Sequence, residues 1–187
     1  GVAAAMAPSW YKGTFDEATV TIRLLEDVIV VDDALVFTPS LDLVPGTTGS
    51  EPFLLTPFGD KMAFGANTSA LPGARVWTSD GTEAGTAPVT DAAQVTSGLT
   101  VHQGLIYFLG TEAGGNIVQL WRSDGTAAGT VMVKDINPGS GSSSPYNLTS
   151  ANGKLYFTAN DGSHGSELWQ SDGTTAGTVL VKDINPG

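Results

Sequence analysis

The chain is predicted to be all-β, a β-propeller or propeller segment of about four four-stranded antiparallel blades with a degenerate first blade. Three observations lead there. One phrase recurs as Trp77-Thr78-Ser79-Asp80-Gly81-Thr82, Trp121-Arg122-Ser123-Asp124-Gly125-Thr126 and Trp169-Gln170-Ser171-Asp172-Gly173-Thr174, its tryptophans 44 and 48 residues apart. Turn signals divide each period into four short segments. Finally, Leu155-Tyr156-Phe157 and Val131-Met132-Val133 are apolar at consecutive positions, so both faces of those strands need cover. No stretch reads as a covering helix, and small sheets placed against one another meet the need. Solenoid coils repeat at about 20 to 30 residues, shorter than this period, and a sandwich is the remaining alternative.

The last unit divides most clearly. Tyr146–Ser150 reads as a first strand, Asn152-Gly153 as a two-residue hairpin, and Lys154–Ala159 as a second strand. Asn160–Gly165 turns the chain, Glu167–Ser171 forms a third strand, and Asp172-Gly173 leads to a fourth at Thr178–Asp183. The two preceding units fit the same frame: Leu55, Leu99 and Leu148 each stand nine residues before Phe64, Phe108 and Phe157. Asp91, Asp135 and Asp183 close the fourth strands. The organisation expected is a degenerate blade or cap at 1–41 and repeat blades at 42–91, 92–138 and 139–187. In the first of these, Thr19–Leu24, Val28–Val31 and Ala34–Phe37 read as strands, but no tryptophan matches Trp77, and Trp10 comes too early.

Leu120-Trp121-Arg122-Ser123-Asp124-Gly125-Thr126, and especially Glu167-Leu168-Trp169-Gln170-Ser171-Asp172-Gly173-Thr174, resemble the ELW-x-x-DGT repeat of bacterial, often large and secreted, repeat proteins. Val-Lys-Asp-Ile-Asn-Pro-Gly at 133–139 and 181–187 adds to the resemblance, which covers residues 42–187. It implies repetition and export rather than a biochemical activity. Arg75-Val76 and Gln119-Leu120 depart from the Glu-Leu that precedes tryptophan in the pattern. The closing Ile184-Asn185-Pro186-Gly187 matches the phrase that leads from one unit into the next, so the series is expected to continue or to close through another chain.

Residues present in every unit are first suspects for building the unit. Asp80, Asp124 and Asp172 are expected to accept backbone N-H bonds inside their turns, with Gly81, Gly125 and Gly173 at positive φ. Trp77, Trp121 and Trp169 are expected to fill the contacts between units, an exposed aromatic stripe being the alternative. Asn160, Asp161, Ser163 and Glu167 place four oxygen-bearing side chains within eight residues and form a candidate Ca2+ site, although the fixed EF-hand spacing is absent. His102 and His164 occupy different positions in their units and are expected to be solvated. No catalytic residue and no other cofactor is assigned, because nucleophile elbow, phosphate loop and His-Glu-x-x-His motif are all missing from the sequence.

Composition narrows the partners. Nineteen acidic residues against eight scattered basic ones give a net charge of -11, which disfavours nucleic acid and anionic membrane. The run Val2–Ala7 is too short to span a bilayer, so no direct membrane insertion is expected. Absence of cysteine excludes disulfides and thiolate metal sites. The reading is an extracellular or envelope module of structural or protein-interaction type, bound to other protein chains or to further repeats of the same protein. A glycan-binding or adhesion module is one alternative. A carbohydrate-active enzyme with two carboxylates meeting in space is the other.

Overall fold

The structure is a computed structural model that describes residues 49–68, 72–139 and 141–186, together with short strands between Gly13 and Phe37. The run Val2–Ala7 and Trp10 lie outside the described residues. The chain divides into two compact units, Gly1–Asp42 and Leu43–Gly187. In the first, β1 (Gly13–Phe15) pairs with β2 (Ala18–Val20), and β3 (Ile22–Leu25), β4 (Val28–Val31) and β5 (Leu35–Phe37) form a separate three-stranded antiparallel sheet. The stretch Thr19–Leu24, read as one strand from sequence, therefore contributes to two sheets.

The second unit holds three four-stranded antiparallel meanders. The first contains β6 (Phe53–Phe58), β7 (Lys61–Ala66), β8 (Arg75–Ser79) and β9 (Ala87–Pro88). The middle sheet contains β10 (Ala93–His102), β11 (Leu105–Glu112), β12 (Gln119–Ser123) and β13 (Val131–Lys134). The third contains β14 (Tyr146–Ala151), β15 (Lys154–Asn160), β16 (Ser166–Ser171) and β17 (Val179–Lys182). Phenylalanine and tryptophan sit opposite each other in every unit, as Phe64 and Trp77, Phe108 and Trp121, and Phe157 and Trp169. Among the described residues no helix is long and apolar enough to cross a membrane.

Local backbone chemistry explains the meanders. Gln103-Gly104 and Asn152-Gly153 join their first two strands with positive φ at both residues, 49° and 77° in one and 50° and 73° in the other. That geometry matches the right-handed twist of paired strands. Each first strand also contains a bulge that the sequence did not announce. The ladder shifts between Phe53 and Thr56, between Ser97 and Thr100, and between Tyr146 and Thr149. At each shift one residue takes a left-handed conformation: Leu54 at 56°, Gly98 at 58° and Asn147 at 58°. Glycine and asparagine accept it readily, whereas leucine is strained there.

Strand alternation assigns the core. Ile106, Phe108 and Trp121 leave one face of the middle sheet and join Ala63, Val76 and Val89 of the first. Tyr107, Leu109, Leu120 and Val133 leave the other face and join Leu155, Phe157 and Trp169 of the third. Two apolar layers thus enclose the middle sheet, and Ile106, Phe108, Leu120 and Leu155 are completely buried.

The propeller of about four blades is overturned. The described four-stranded sheets are three separate ones, neither curled into a propeller blade arrangement nor closed on one another. Strand β10 lies beside both β6 and β14, so the middle sheet links its two neighbours in an open series. The physical reason for the mistaken inference is that apolar side chains on both faces demand two neighbours. An open series provides them for the middle sheet as well as a ring does.

The stacked pair formed by Phe108 and Trp121, with ring centres 6.2 Å apart and planes 18° from parallel, lies in the first layer. Trp121→Ala is expected to cost about 3 to 5 kcal/mol, measured by denaturant unfolding, because it opens a cavity where neighbouring strands cannot collapse freely. A loss below about 1 kcal/mol would show that the layer tolerates its absence.

Candidate functional site

The repeated phrase builds a closed hydrogen-bonded loop. In the middle unit Asp124 Oδ1 accepts from Thr126 N at 2.9 Å and from Thr126 Oγ1 at 2.6 Å. Thr126 Oγ1 accepts from Gly129 N at 3.0 Å, and Thr130 Oγ1 donates to Thr126 O at 2.7 Å. Ser123 Oγ accepts from Gly125 N at 3.0 Å and bonds to Thr130 Oγ1 at 2.7 Å. The same contacts recur around Asp80 and Asp172. Gly81, Gly125 and Gly173 have φ of 89°, 89° and 86°, as the turn reading required.

A second glycine of the phrase has a different purpose, which sequence reasoning missed. A Cβ on Gly85, Gly129 or Gly177 would collide with the carboxylate of Asp80, Asp124 or Asp172, respectively. These glycines make room for the aspartate that organises the loop. Hydrogen bonds from the side chains of Thr82, Thr126 and Thr174, then from their backbone N-H groups, hold the three carboxyls below the usual range. The loop consumes these groups as its own framework.

The position two residues before tryptophan varies in chemistry but is buried each time, as Arg75, Gln119 and Glu167. Arg75 Nη1 donates to the carbonyls of Pro72 and Gly73, both at 3.1 Å. Gln119 donates through Nε2 to Asp135 Oδ1 at 2.9 Å and accepts through Oε1 from Ser143 Oγ at 2.6 Å. Glu167 Oε2 accepts from Ile184 N at 3.1 Å, with Oε1 receiving Asn185 N at 3.4 Å. Each side chain fastens the third strand to a nearby loop, using whichever polarity that loop supplies.

The proposed calcium ligands are engaged within the protein. Asn160 Oδ1 accepts from Gly162 N at 2.7 Å, and Asp161 Oδ1 accepts from Ser163 N and His164 N, both at 2.9 Å. Asp161 Oδ2 is 2.7 Å from His164 Nδ1, while Glu167 binds the backbone already described. Among the described residues no group of three His, Cys, Asp or Glu is arranged to hold a metal ion. Ser163 contributes its backbone N-H to the Asp161 turn.

Trp77, Trp121 and Trp169 are buried rather than arrayed as an exposed aromatic stripe. Trp121 Nε1 donates to Gly110 O at 3.2 Å, whereas Trp77 Nε1 has no partner among the described residues. His102 differs from its sequence reading. It is buried, with Nδ1 2.8 Å from Ser150 Oγ and its ring edge-on to Tyr107. It joins the middle and third sheets. His164, by contrast, is exposed.

Beside the middle sheet opens a cleft of about 220 Å3, lined in part by Glu112, Asn116, Gln119, Trp121, Met132 and Asp135. The β11–β12 loop supplies Asn116, β12 supplies Gln119 and Trp121, and the residue after β13 supplies Asp135. Glu112, Asn116 and Asp135 bring polar groups to the cleft beside Trp121 and Met132, while the Gln119 amide and the Trp121 N-H are already bonded within the protein. Sequence reading missed this set because the residues are separated along the chain and only strand pairing brings them together. Trp121 and the closing aspartate of the fourth strand were singled out in the sequence, but not as members of one cleft.

No protein-family model matches the chain, and no curated protein matches it. The resemblance to the bacterial repeat family finds no support in those comparisons.

Gly129→Ala should destabilise the protein by roughly 1 to 3 kcal/mol by breaking the loop around Asp124. In an Asp124→Ala background the added cost should largely disappear, since the obstructing carboxylate is gone, and a double-mutant cycle of unfolding free energies checks the coupling. Equal costs in both backgrounds would place the obstruction elsewhere.

Burial pushes the Asp161 carboxyl up, but bonds from the His164 ring and from the N-H groups of His164 and Ser163 outweigh it and hold it at about 2. The hydrogen bond to Asp161, followed by its charge, raises the His164 pKa above the ordinary value of 6.5. The histidine contribution to stability is therefore present below its unfolded pKa and lost as pH rises through the raised folded value. The Asp161 contribution is present above its unfolded pKa and lost as pH falls through the lowered one. NMR titration of Asp161→Asn should bring the His164 pKa down toward 6.5. An unchanged titration would separate the two side chains in solution.

Proposed function

We propose that the chain is a noncatalytic protein-interaction module of an extracellular or envelope assembly. One observation carries this reading: the polar groups of the repeated phrase bond within their own loops, while large apolar side chains remain on the surface. Val131 and Met132 of β13, Tyr146 of β14, Val179 and Val181 of β17, and Ile184 beyond it are all exposed. Apolar surface gathered on the outer strands favours protein contact. The net charge of -11 weighs against a polyanionic partner. Strands β13 and β17 each have a neighbour on one side only in their sheets, which leaves backbone groups available to a partner.

The cleft lined by Glu112, Asn116 and Trp121 favours a second reading, a neutral glycan held by amide and carboxylate groups beside the indole. Calorimetric titration with neutral oligosaccharides, together with turnover assays on glycosides, distinguishes the readings. The interaction module should show neither saturable glycan binding nor turnover. It should retain a defined protein from its native envelope or secreted fraction, and the doubly substituted Val131→Lys/Val179→Lys chain should lose that protein without a changed melt. Saturable glycan binding that Asn116→Ala weakens by about tenfold, some 1.4 kcal/mol, would replace this reading with the second.

A further inference from the structure

The outer face of the third sheet repeats the face with which the middle sheet receives the third. Four matched positions carry the same residue: Tyr107 and Tyr156, Val133 and Val181, Lys134 and Lys182, Ile136 and Ile184. In the middle unit all four serve the contact. Tyr107, Val133 and Ile136 share a core with Leu155, Phe157 and Trp169 of the third sheet. The Tyr107 hydroxyl lies against Gly173, so closely that any Cβ there would collide with it. Lys134 Nζ donates to Thr178 O at 2.8 Å and stands 5.8 Å from the centre of the Trp169 ring. The Val133 carbonyl accepts from Thr175 Oγ1 at 2.8 Å.

In the third unit the same side chains have lost that cover. Val181 is 45% exposed against 3% for Val133, and Ile184 is 66% exposed against 4% for Ile136. Tyr156 is half-buried and Lys182 exposed. Holding its own sheet together does not require this combination: the apolar residues contribute burial only when another surface covers them. In the middle unit the matching ammonium and carbonyl bond to the next sheet, and the matching hydroxyl lies against that sheet's glycine.

We propose that this face is a docking surface for one further four-stranded sheet of the same repeat, seated as the third sheet is seated on the second. The occupant presents the equivalents of Leu155, Phe157 and Trp169. Its Asp-Gly-Thr loop places glycine at the Tyr156 hydroxyl, and Lys182 reaches its tryptophan and loop carbonyl. The inference rests on the interaction reading and gives that reading its partner chemistry.

Because the chain contains no cysteine, a single introduced thiol reports on this face. The full chain carrying Val181→Cys is compared with the same chain extended after Gly187 by a second copy of residues 140–187. The rate of maleimide reaction is the readout. The thiol of the unextended chain should react rapidly at every protein concentration, and the extension should slow it by about tenfold or more. Equal rates, with the added unit shown to be folded by circular dichroism, overturn the proposal. So does an added unit that stays unfolded, because docking supplies its core. Protection that grows with concentration in the unextended chain would assign the face to a second copy of the chain instead. Glycan binding or turnover by the unextended chain would defeat the interaction reading while leaving the rate comparison intact.

Discussion

Everything in the described repeat region depends on a sheet whose two faces are both apolar. Ile106 and Phe108 point one way from β11, and Tyr107 and Leu109 point the other. A strand with that pattern is insoluble as half of a wet sheet and becomes stable when neighbours cover both sides. The middle sheet therefore has no independent core. Its stability resides in two layers shared with the first and third sheets, which makes cooperation between units a consequence of side-chain alternation.

Within that constraint, the Asp-Gly-Thr loops give each unit a rigid corner. The aspartate gathers the threonine N-H and hydroxyl, the first glycine supplies positive φ, and the second leaves space for the carboxylate. The corners also face their neighbours: Phe58 of the first sheet lies 3.0 Å from where a Cβ on Gly125 would stand, and Tyr107 reaches Gly173 in the same way. Local turn chemistry and contact between sheets thus converge on one glycine. Such convergence helps explain why so many features of the phrase recur together.

The repeated strands and their turns were legible because glycine, asparagine and alternating apolar residues declare local geometry. Leu155 pairs with Ser171 and Trp169 with Leu180, in the antiparallel meander that the final unit's turns suggested. Closure was illegible, since two-sided cover is a local demand that open and closed arrangements satisfy equally. The cleft was illegible for another reason: Glu112, Asn116, Gln119 and Asp135 meet through strand register rather than proximity along the chain. His102 looked like a surface residue because its partner Ser150 belongs to a different unit. Gly129 and its counterparts showed their recurrence but not the carboxylate behind it.

The bulges in β6, β10 and β14 bear on how sheets of nearly the same sequence avoid fusing. Each of these strands is at the border of its sheet, and in each the left-handed residue, Leu54, Gly98 or Asn147, interrupts the regular spacing of N-H and C=O groups. An uninterrupted border is a template for another strand, whereas a bulged border is a poor one. The strain at Leu54 then has a use: it helps keep neighbouring borders distinct and disfavours the continuous ribbon by which repetitive β sequences aggregate.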